Sequence, residues 1–379
     1  MSITLTNARI VLPGEVRPGW VTVEDDRITH VGRGTAPGQG HDLDGQYLVP
    51  GFVDMHHHGG AGGSYPAADP GEALRAARFH LGHGTTTGVA GLVTAGPGDL
   101  ARATAVIAEL CDDGVFAGIH LEGPYISRAR CGAHDPTLLR DPDLAEFTNL
   151  VRAGRGHVRM LTIAPELPGA IDIIHSAVAE GVIAAIGHSD ATYEQTVTGI
   201  DAGATVATHL FNTLPPLHHR RPGPVAALLE DERVTVELIN DGFHVHPAMI
   251  RLALRAAGPA RAALITDAMS AAGLGDGSYR LGSMTVTVSD GQARLAEGGA
   301  IAGSTLTMDV AFRRAVQRVG ISLPEAAEAA ALTPARTLGL ADSIGSITTG
   351  KYADLVIMSD DLHVTGVMRR GVLVAGRPS

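Results

Sequence analysis

Histidine and carboxylate side chains stand at the ends of several predicted strands, and this pattern is the first sign of chemistry in the sequence. The set consists of His56, His58, Glu122, His188, His209 and Asp267. Imidazole and carboxylate groups without cysteine suit zinc, iron, manganese or a similar divalent ion. Side chains alternate along a strand, so His56 and His58 point to one side and can reach the same ion, whereas His57 points away. We therefore predict a divalent-metal site.

Each of these residues has a simpler explanation when it is taken alone. A single histidine at a strand end is usually a hydrogen-bonded structural residue, and a single aspartate there is commonly a helix N-cap. Six such groups from five strands would, as a structural accident, converge without partners, which folded proteins avoid. The metal interpretation is therefore favoured. The roles of His218 and His219 stay open, and Cys111 and Cys131 are interpreted as ordinary thiols.

The elements that must position these residues alternate between short apolar strands and helical segments, which is typical of a parallel sheet built from βαβ units. Helices are predicted over residues 71–81, 99–111, 171–180, 192–202 and 247–257. Eight strands are predicted over residues 52–56, 86–93, 116–121, 158–163, 182–186, 204–208, 234–239 and 262–266. Eight parallel strands close a barrel, and barrel enzymes build their sites at the C-terminal strand ends. We predict an α/β fold, a (β/α)8 TIM-type barrel, with a doubly wound open sheet as the alternative.

The two ends of the chain have a different sequence pattern, in which apolar and polar residues alternate as in strands and Gly and Pro mark turns. Residues 1–50 and 343–379 are predicted to form one small composite β-sandwich domain, and residues 51–342 the barrel. A hairpin over residues 279–295, with its turn at Asp290-Gly291, is predicted after the eighth strand.

Composition limits the classes of function. The chain has 379 residues, of which 45% are hydrophobic and 18% charged, and its formal net charge is −11. This balance predicts a globular protein and argues against nucleic-acid binding, because phosphate backbones attract basic surfaces. No apolar run reaches the roughly 18 residues of a membrane helix, and two cysteines fit a reducing compartment, so no membrane association and a cytoplasmic location are expected. An anionic ligand would need local cationic groups.

Several motifs resemble a known family. PGFVDMHHHG at residues 50–59 and GKYADLV at residues 350–356 resemble the opening and closing segments of the amidohydrolase superfamily. The more specific motifs are HLEGP at 120–124, GAH at 132–134, GHS at 187–189, THLFN at 208–212, DGFH at 241–244 and IAGS at 301–304. In that order they resemble the N-acetylglucosamine-6-phosphate deacetylases over essentially the whole chain. Many relatives in the superfamily use a modified lysine on the fourth strand, but this strand contains none and the third carries Glu122.

The resemblance implies a metal centre of one or two divalent ions. Zinc is the first choice, with iron, manganese, cobalt or cadmium as alternatives. Glu122, His188 and His209 would hold one ion, and His56 and His58 would complete a second site that shares Glu122 and also uses Asp267. Both first-strand histidines are retained, which favours two ions.

The resemblance also implies a pocket for an amino-sugar phosphate. Arg220 and His244 would bind the phosphate, and the corresponding arginine in relatives reaches a neighbouring subunit, which implies a homodimer. From the residues alone, Arg220 is equally well a solvated loop charge. The remaining predicted substrate-binding residues are Ala133, His134, Asn212, Thr213, Ile301, Ala302 and Gly303. Thr213 and Leu214 stand where relatives often have Ala and Met, which leaves substrate detail open.

The expected reaction is hydrolysis of the acetamide of N-acetyl-D-glucosamine 6-phosphate to D-glucosamine 6-phosphate and acetate by metal-activated water, in amino-sugar catabolism. Asp267 would take a proton from water and pass it to the departing amine, as base and then acid. Asp267 acting only as a ligand is the alternative for that residue. The alternative functions are deacetylation of another sugar phosphate such as N-acetylgalactosamine 6-phosphate, another amidohydrolase reaction, and a non-catalytic scaffold or sensor.

Overall fold

The computed structural model describes residues 2–376, and a parallel sheet of eight strands organises the middle of the chain. In chain order the strands are Phe52–His57, Thr85–Val93, Gly118–Glu122, Val158–Ile163, Ile183–Ile186, Val206–Ala207, Thr235–Ile239 and Ala262–Ile265. Each strand neighbours the next one along the chain. Two hydrogen bonds join the eighth strand end to the first, from Asp267 N to His56 O (2.9 Å) and from His58 N to Ala268 O (2.7 Å). The predicted (β/α)8 barrel is confirmed.

Helices follow the strands in alternation, and those predicted over residues 71–81, 99–111, 171–180, 192–202 and 247–257 are found within two residues of these bounds. The helices of the described residues span Pro70–Gly82, Pro97–Asp112, Leu144–Ala153, Ala170–Ala179, Tyr193–Asp201, Gly223–Glu230, Pro247–Ala257, Met308–Arg314, Leu323–Ala327 and Thr333–Thr337. Ala315–Val319 and Glu328–Leu332 are π-helical, and Tyr65–Ala67, Arg128–Arg130 and Pro259–Arg261 are 3-10 turns. Thr192 and Gln195 form a capping box, which satisfies free backbone donors and starts the helix Tyr193–Asp201.

A second sheet combines strands from both ends of the chain. It contains Ser2–Leu12, Glu15–Glu24, Arg27–Arg33, His41–Asp42, Tyr47–Pro50, Leu355–Met358, Val364–Arg369 and Val372–Gly376. Val356 pairs with Val49 and Ile357 with Leu48, so the C-terminal strand lies directly against an N-terminal one. One apolar core contains residues from both ends, among them Ile10 and Leu355. The predicted small β domain formed by the two termini is therefore present.

The segment after the eighth barrel strand forms a sheet of three strands, where the sequence predicts a hairpin. Its strands are Gly277–Leu281, Met284–Ser289 and Gln292–Leu295. The predicted turn at Asp290-Gly291 is found between the second and third strands. The first strand begins two residues before the predicted range, because Gly277 and Ser278 are exposed and show no apolar pattern. Two shorter strands, Gly59–Gly60 and Gly63–Ser64, pair with each other.

Residue contacts divide the chain into two compact units. One contains the residues up to Asp54, the segment His80–Thr87 and the chain from Thr307 onward, and the other contains Met55–Phe79 and Gly88–Leu306. The domain limits given by the sequence, 1–50 with 343–379 and 51–342, stay a prediction. Among residues 2–376, none of the helices has both the length and the apolar character needed to cross a membrane.

Candidate metal centre and substrate cavity

The predicted metal ligands lie together around the carboxylate of Glu122, at the end of the third barrel strand. Its Oε1 lies 3.0 Å from His209 Nε2, 3.2 Å from His188 Nε2 and 3.4 Å from His56 Nε2. Its Oε2 lies 3.3 Å from His58 Nε2. All five side chains are buried. Their donor atoms therefore converge on a volume small enough for one or two ions.

Asp267 completes this group from the end of the eighth strand. Its Oδ1 lies 3.2 Å from His58 Nε2 and 3.7 Å from His56 Nε2. Donor atoms of His56, His58 and Asp267 all lie within 4.8 Å of one another, as do those of Glu122, His134 and His188. The structure thus brings all six predicted ligands together, with Glu122 in contact with His56, His58, His188 and His209 and Asp267 in contact with His56 and His58. Their role as ligands stays a prediction.

For two candidate ligands, His58 and His188, the ring nitrogen that faces away from Glu122 assigns the tautomer. His58 Nδ1 lies 3.0 Å from the carbonyl oxygen of Gly91, and His188 Nδ1 lies 2.9 Å from that of Arg130. A carbonyl only accepts hydrogen bonds, so each Nδ1 carries a proton and donates it. The lone pair of a neutral ring is then on Nε2 and faces Glu122, as in the usual arrangement of metal-bound histidines.

His134 has the opposite arrangement. The backbone N–H of Thr94 donates to His134 Nδ1 at 3.3 Å, so that nitrogen carries the lone pair and Nε2 carries the proton. His134 Nε2 lies 3.3 Å from Glu122 Oε2. Burial is the main cause that lowers the pKa of His134, to about 4, so the ring is neutral near neutral pH. His134 therefore presents a hydrogen-bond donor to the site, whereas His58 and His188 in their neutral forms present lone pairs.

The strand ends that carry three of these groups have an unusual backbone. His188, His209 and Asp267 have φ angles of 48°, 28° and 49°, in the left-handed region that residues with a Cβ rarely adopt. Such angles cost free energy and tend to cluster at functional sites. Each residue lies two positions beyond the end of its strand, where His188 and His209 contact Glu122 and Asp267 contacts His58.

Electrostatics in this group favour a bound cation. Burial lowers the pKa of His56, but the nearby carboxylates of Glu237 and Glu122 outweigh burial and hold it well above its usual value. Burial likewise lowers the pKa of His58, but Asp267 and Glu122 outweigh burial and raise it to about 9. Burial alone would raise the pKa values of Glu122 and Asp267, but the surrounding histidines lower both. The ionised carboxylates thus favour positive charge on His56 and His58, and a bound divalent ion would replace those protons and leave the Nε2 lone pairs free to bind it.

Glu237 is a buried carboxylate at this centre that sequence reasoning missed. It lies in the seventh barrel strand, where the sequence predicts an apolar strand over residues 234–239. Its Oε2 accepts a hydrogen bond from His56 Nδ1 at 2.9 Å and one from the backbone N–H of His209 at 3.1 Å. The signal that could have found it is a single carboxylate inside an otherwise aliphatic strand.

A cavity of about 260 Å³ opens beside the metal-ligand group. The cavity is lined by His58, Glu122, His188, His209 and Asp267 from that group. It also brings together most of the predicted substrate-binding residues, namely Ala133, His134, Asn212, Thr213, His244, Ile301 and Gly303. Val93, Leu281 and Ala300 add apolar wall that sequence reasoning did not identify.

Two predicted substrate residues lie elsewhere. Ala302 is buried, and its backbone N–H donates to Ala293 O at 3.1 Å within the three-stranded sheet region. Arg220 lies in a second cleft of about 510 Å³, together with His218 and Arg221. The structure of one chain therefore does not bring Arg220 to the cavity, and its phosphate role stays a prediction.

His244 is held in the cavity wall by a short ion pair. Its Nδ1 lies 2.6 Å from Asp241 Oδ2, and Asp241 Oδ1 accepts hydrogen bonds from the backbone N–H groups of Phe243 and His244, each at 2.8 Å. Burial lowers the pKa of His244, but the bond to Asp241 and its charge outweigh burial and raise it. The cationic form of the imidazole is thereby stabilised, which suits an anionic group.

Comparison with known proteins identifies relatives with one kind of chemistry. Residues 47–374 match the model of the amidohydrolase family. Over 338 residues the chain is 39% identical to the N-acetylgalactosamine-6-phosphate deacetylase of Escherichia coli O157:H7, which covers 88% of this chain and 89% of that protein. Over 347 residues it is 38% identical to the N-acetylglucosamine-6-phosphate deacetylase of Homo sapiens, which covers 88% and 84%.

A solved structure is also very similar. It is N-acetyl-D-glucosamine-6-phosphate deacetylase from Mycobacterium smegmatis, an aspartate-to-alanine mutant in complex with N-acetyl-D-glucosamine-6-phosphate. The TM-score is 0.96 and the sequence identity 49%, and the match covers 98% of this chain and 99% of that one.

Proposed function

This chain belongs to the amidohydrolase family, among its N-acetylglucosamine-6-phosphate deacetylases, and we propose that it hydrolyses the acetamide of N-acetyl-D-glucosamine 6-phosphate. The products are D-glucosamine 6-phosphate and acetate, and the reaction belongs to amino-sugar catabolism. The observation that carries this proposal is the set of imidazole lone pairs and ionised carboxylates beside a cavity with a protonated donor at His134.

The donor set fits a divalent ion. His56 and His58 face Asp267 and Glu122, and His188 and His209 face Glu122. Nitrogen and carboxylate oxygen donors without sulfur suit zinc first, and iron, manganese, cobalt or cadmium as alternatives. Because the two sets overlap at Glu122, we infer two ions per subunit. A divalent ion supplies polarisation of the carbonyl oxygen and a lowered pKa of water, toward about 7.

Proton transfer and stabilisation of the developing charge are assigned to two side chains, Asp267 and His134. Asp267 is ionised and lies at the cavity wall, so it takes a proton from the attacking water and then donates it to the departing amine. His134 Nε2–H donates a hydrogen bond to the acetamide oxygen, where negative charge develops. The two residues thus serve the two ends of the reaction, proton transfer and charge stabilisation.

The substrate is a single phosphorylated sugar. The cavity of about 260 Å³ is just below the roughly 300–1,000 Å³ of typical small-molecule sites, which suits one sugar ring and not an oligosaccharide. The cationic form of His244 attracts the phosphate, and Asn212, Thr213, Ala133, Ile301 and Gly303 border the sugar. The two free cysteines fit the expected cytoplasmic location.

Assembly into a homodimer would explain why Arg220 lies away from the cavity of its own chain. Its guanidinium offers a planar fork suited to phosphate, yet it lies in a cleft separate from the cavity of its own chain. This position supports a role for Arg220 in the site of a second copy.

A second candidate substrate is N-acetylgalactosamine 6-phosphate. The relative that acts on it is as similar in sequence as the relatives that act on the glucosamine epimer. The epimers differ in the direction of one hydroxyl group, so the same metal centre would serve either sugar.

The experiment is acetate release from a matched panel, measured on protein of known metal content. The panel contains both N-acetyl hexosamines, each with and without the 6-phosphate. We expect the highest kcat/KM with N-acetyl-D-glucosamine 6-phosphate. A higher value for the galactosamine epimer would select the second candidate, and no acetate from any sugar by metal-loaded protein would refute both.

A further inference from the structure

Glu237 occupies an unusual position for an ionisable side chain. It is fully buried inside the seventh barrel strand, between the aliphatic residues Val236 and Leu238. Burying a carboxylate is costly unless its oxygens are hydrogen-bonded and its charge is compensated. An aliphatic residue would fill the barrel interior without that cost, so the carboxylate needs an explanation.

The contacts of Glu237 connect both halves of the metal-ligand group. Its Oε2 accepts from His56 Nδ1 at 2.9 Å and from the backbone N–H of His209 at 3.1 Å. Its backbone carbonyl oxygen accepts from Leu210 N at 2.9 Å. One residue therefore fixes the ring of His56 and the backbone that carries His209. Among residues 2–376, no group donates to the other carboxylate oxygen, Oε1.

We propose that Glu237 is a positioning residue that couples the two metal positions, orienting His56 through its ring and His209 through its backbone. This inference rests on the proposed two-ion function. A carboxylate that accepts from Nδ1 fixes the tautomer, aims Nε2 at the ion and makes that nitrogen a stronger ligand. Glu237 also adds a third negative charge beside Glu122 and Asp267, which helps to balance two divalent ions. Loss of such a partner typically weakens metal binding by about 10- to 100-fold.

Two substitutions separate charge from alignment. Both hydrogen bonds go to a single oxygen, so Glu237→Gln keeps an acceptor for each donor and removes only the charge. Glu237→Leu has a similar volume and removes the acceptor as well. The matched control is Asp309→Asn, because Asp309 Oδ1 makes a similar carboxylate–imidazole contact with His83 at 3.1 Å, and neither residue belongs to the metal-ligand group.

The measurement is metal content and affinity, by elemental analysis and by competition with a chelator of known zinc affinity, on full-length protein without substrate. We expect Glu237→Gln to bind both zinc ions about 10-fold more weakly and Glu237→Leu about 100-fold more weakly, because Glu237 orients a ligand at each metal position. The control should bind zinc as the wild type does. For Glu237→Gln at saturating zinc, KM should stay close to the wild-type value while kcat recovers toward it.

Unchanged affinity for both ions in Glu237→Gln would overturn the proposal, and this variant carries the test if the leucine variant does not fold. An equal loss in the Asp309→Asn control would also overturn it, because the effect would then be general destabilisation. Because zinc binding is measured without substrate, this outcome is independent of the acetate panel. Failure of the proposed reaction and failure of the role of Glu237 are therefore distinguishable.

Discussion

Replacement of Asp267 by asparagine tests the proposed proton transfer most directly. The substitution keeps the shape and one oxygen of the side chain but removes its basicity. It also respects the backbone, because Asp267 has a φ of 49° and asparagine tolerates the left-handed region better than most residues. Burial opposes ionisation of Asp267, but His58 and His56 lower its pKa, so the wild-type group is a carboxylate near neutral pH.

The expected loss follows from the role of one group in two steps. General acid–base catalysis contributes about 10²- to 10⁴-fold, so kcat should fall at least by that factor, or about 3–5 kcal/mol in activation free energy. KM should change little, because the walls of the sugar cavity remain. A purely structural capping aspartate would instead lose about 1 kcal/mol of stability and keep its turnover.

The assay combines kcat, metal content and thermal melting on one preparation of Asp267→Asn. Near-normal kcat with full metal content would refute the proton shuttle. The distance of 3.2 Å between Asp267 Oδ1 and His58 Nε2 makes a second outcome informative. Loss of one ion together with kcat, and recovery of kcat at high metal concentration, would make Asp267 a ligand and not the base.

The other predictions concern the phosphate, pH and the metal. Arg220→Ala should raise KM for the phosphorylated sugar by about 10- to 100-fold, the value of a charged hydrogen bond, and leave the unphosphorylated sugar unchanged; equal losses on both would indicate a structural role. Asp241→Asn should lower the pKa of His244, because burial then acts on the imidazole without the carboxylate that opposes it. KM for the phosphorylated sugar should consequently begin to rise at lower pH than in the wild type, and parallel KM profiles between pH about 5.5 and 8.5 would contradict this. Removal of metal by a chelator should abolish acetate release and lower the melting temperature. A ligand at about 1,000 times its Kd adds about 4 kcal/mol to the free energy of unfolding. Identical melting curves with and without chelator would exclude tight metal binding.

Much of the barrel follows from apolar spacing in the sequence. Residues 158–163 and 247–257 form the predicted strand and helix with identical bounds. The sixth strand, predicted over 204–208, contains only Val206–Ala207, and two residues later His209 adopts a left-handed φ of 28°. Periodicity identifies which residues are buried, but it does not detect a strand that ends early to aim a ligand.

The site could be predicted only in part, for a physical reason. His56, Glu122 and Asp267 are polar residues that interrupt apolar runs, so their types reveal them. Glu237 escaped because its neighbours predict an ordinary core strand, and only tertiary contacts show that its carboxylate faces His56. The tautomer of His134 likewise depends on Thr94, which lies 40 residues away in sequence.

The three-stranded sheet has a consequence for how substrate preference can change in evolution. The catalytic groups come from barrel strand ends, but Leu281 and Ala300 in the cavity wall lie within or beside this inserted sheet. Its core is continuous with Val93, so the wall is supported independently of the histidines. Mutations in residues 277–300 can therefore accumulate while the reaction itself is preserved. Grafting these residues from a relative should yield a chimera that keeps its metal content and acquires the relative's preference among N-acyl sugars. A chimera that loses its metal would show that the cavity wall and the metal centre depend on each other and cannot change separately.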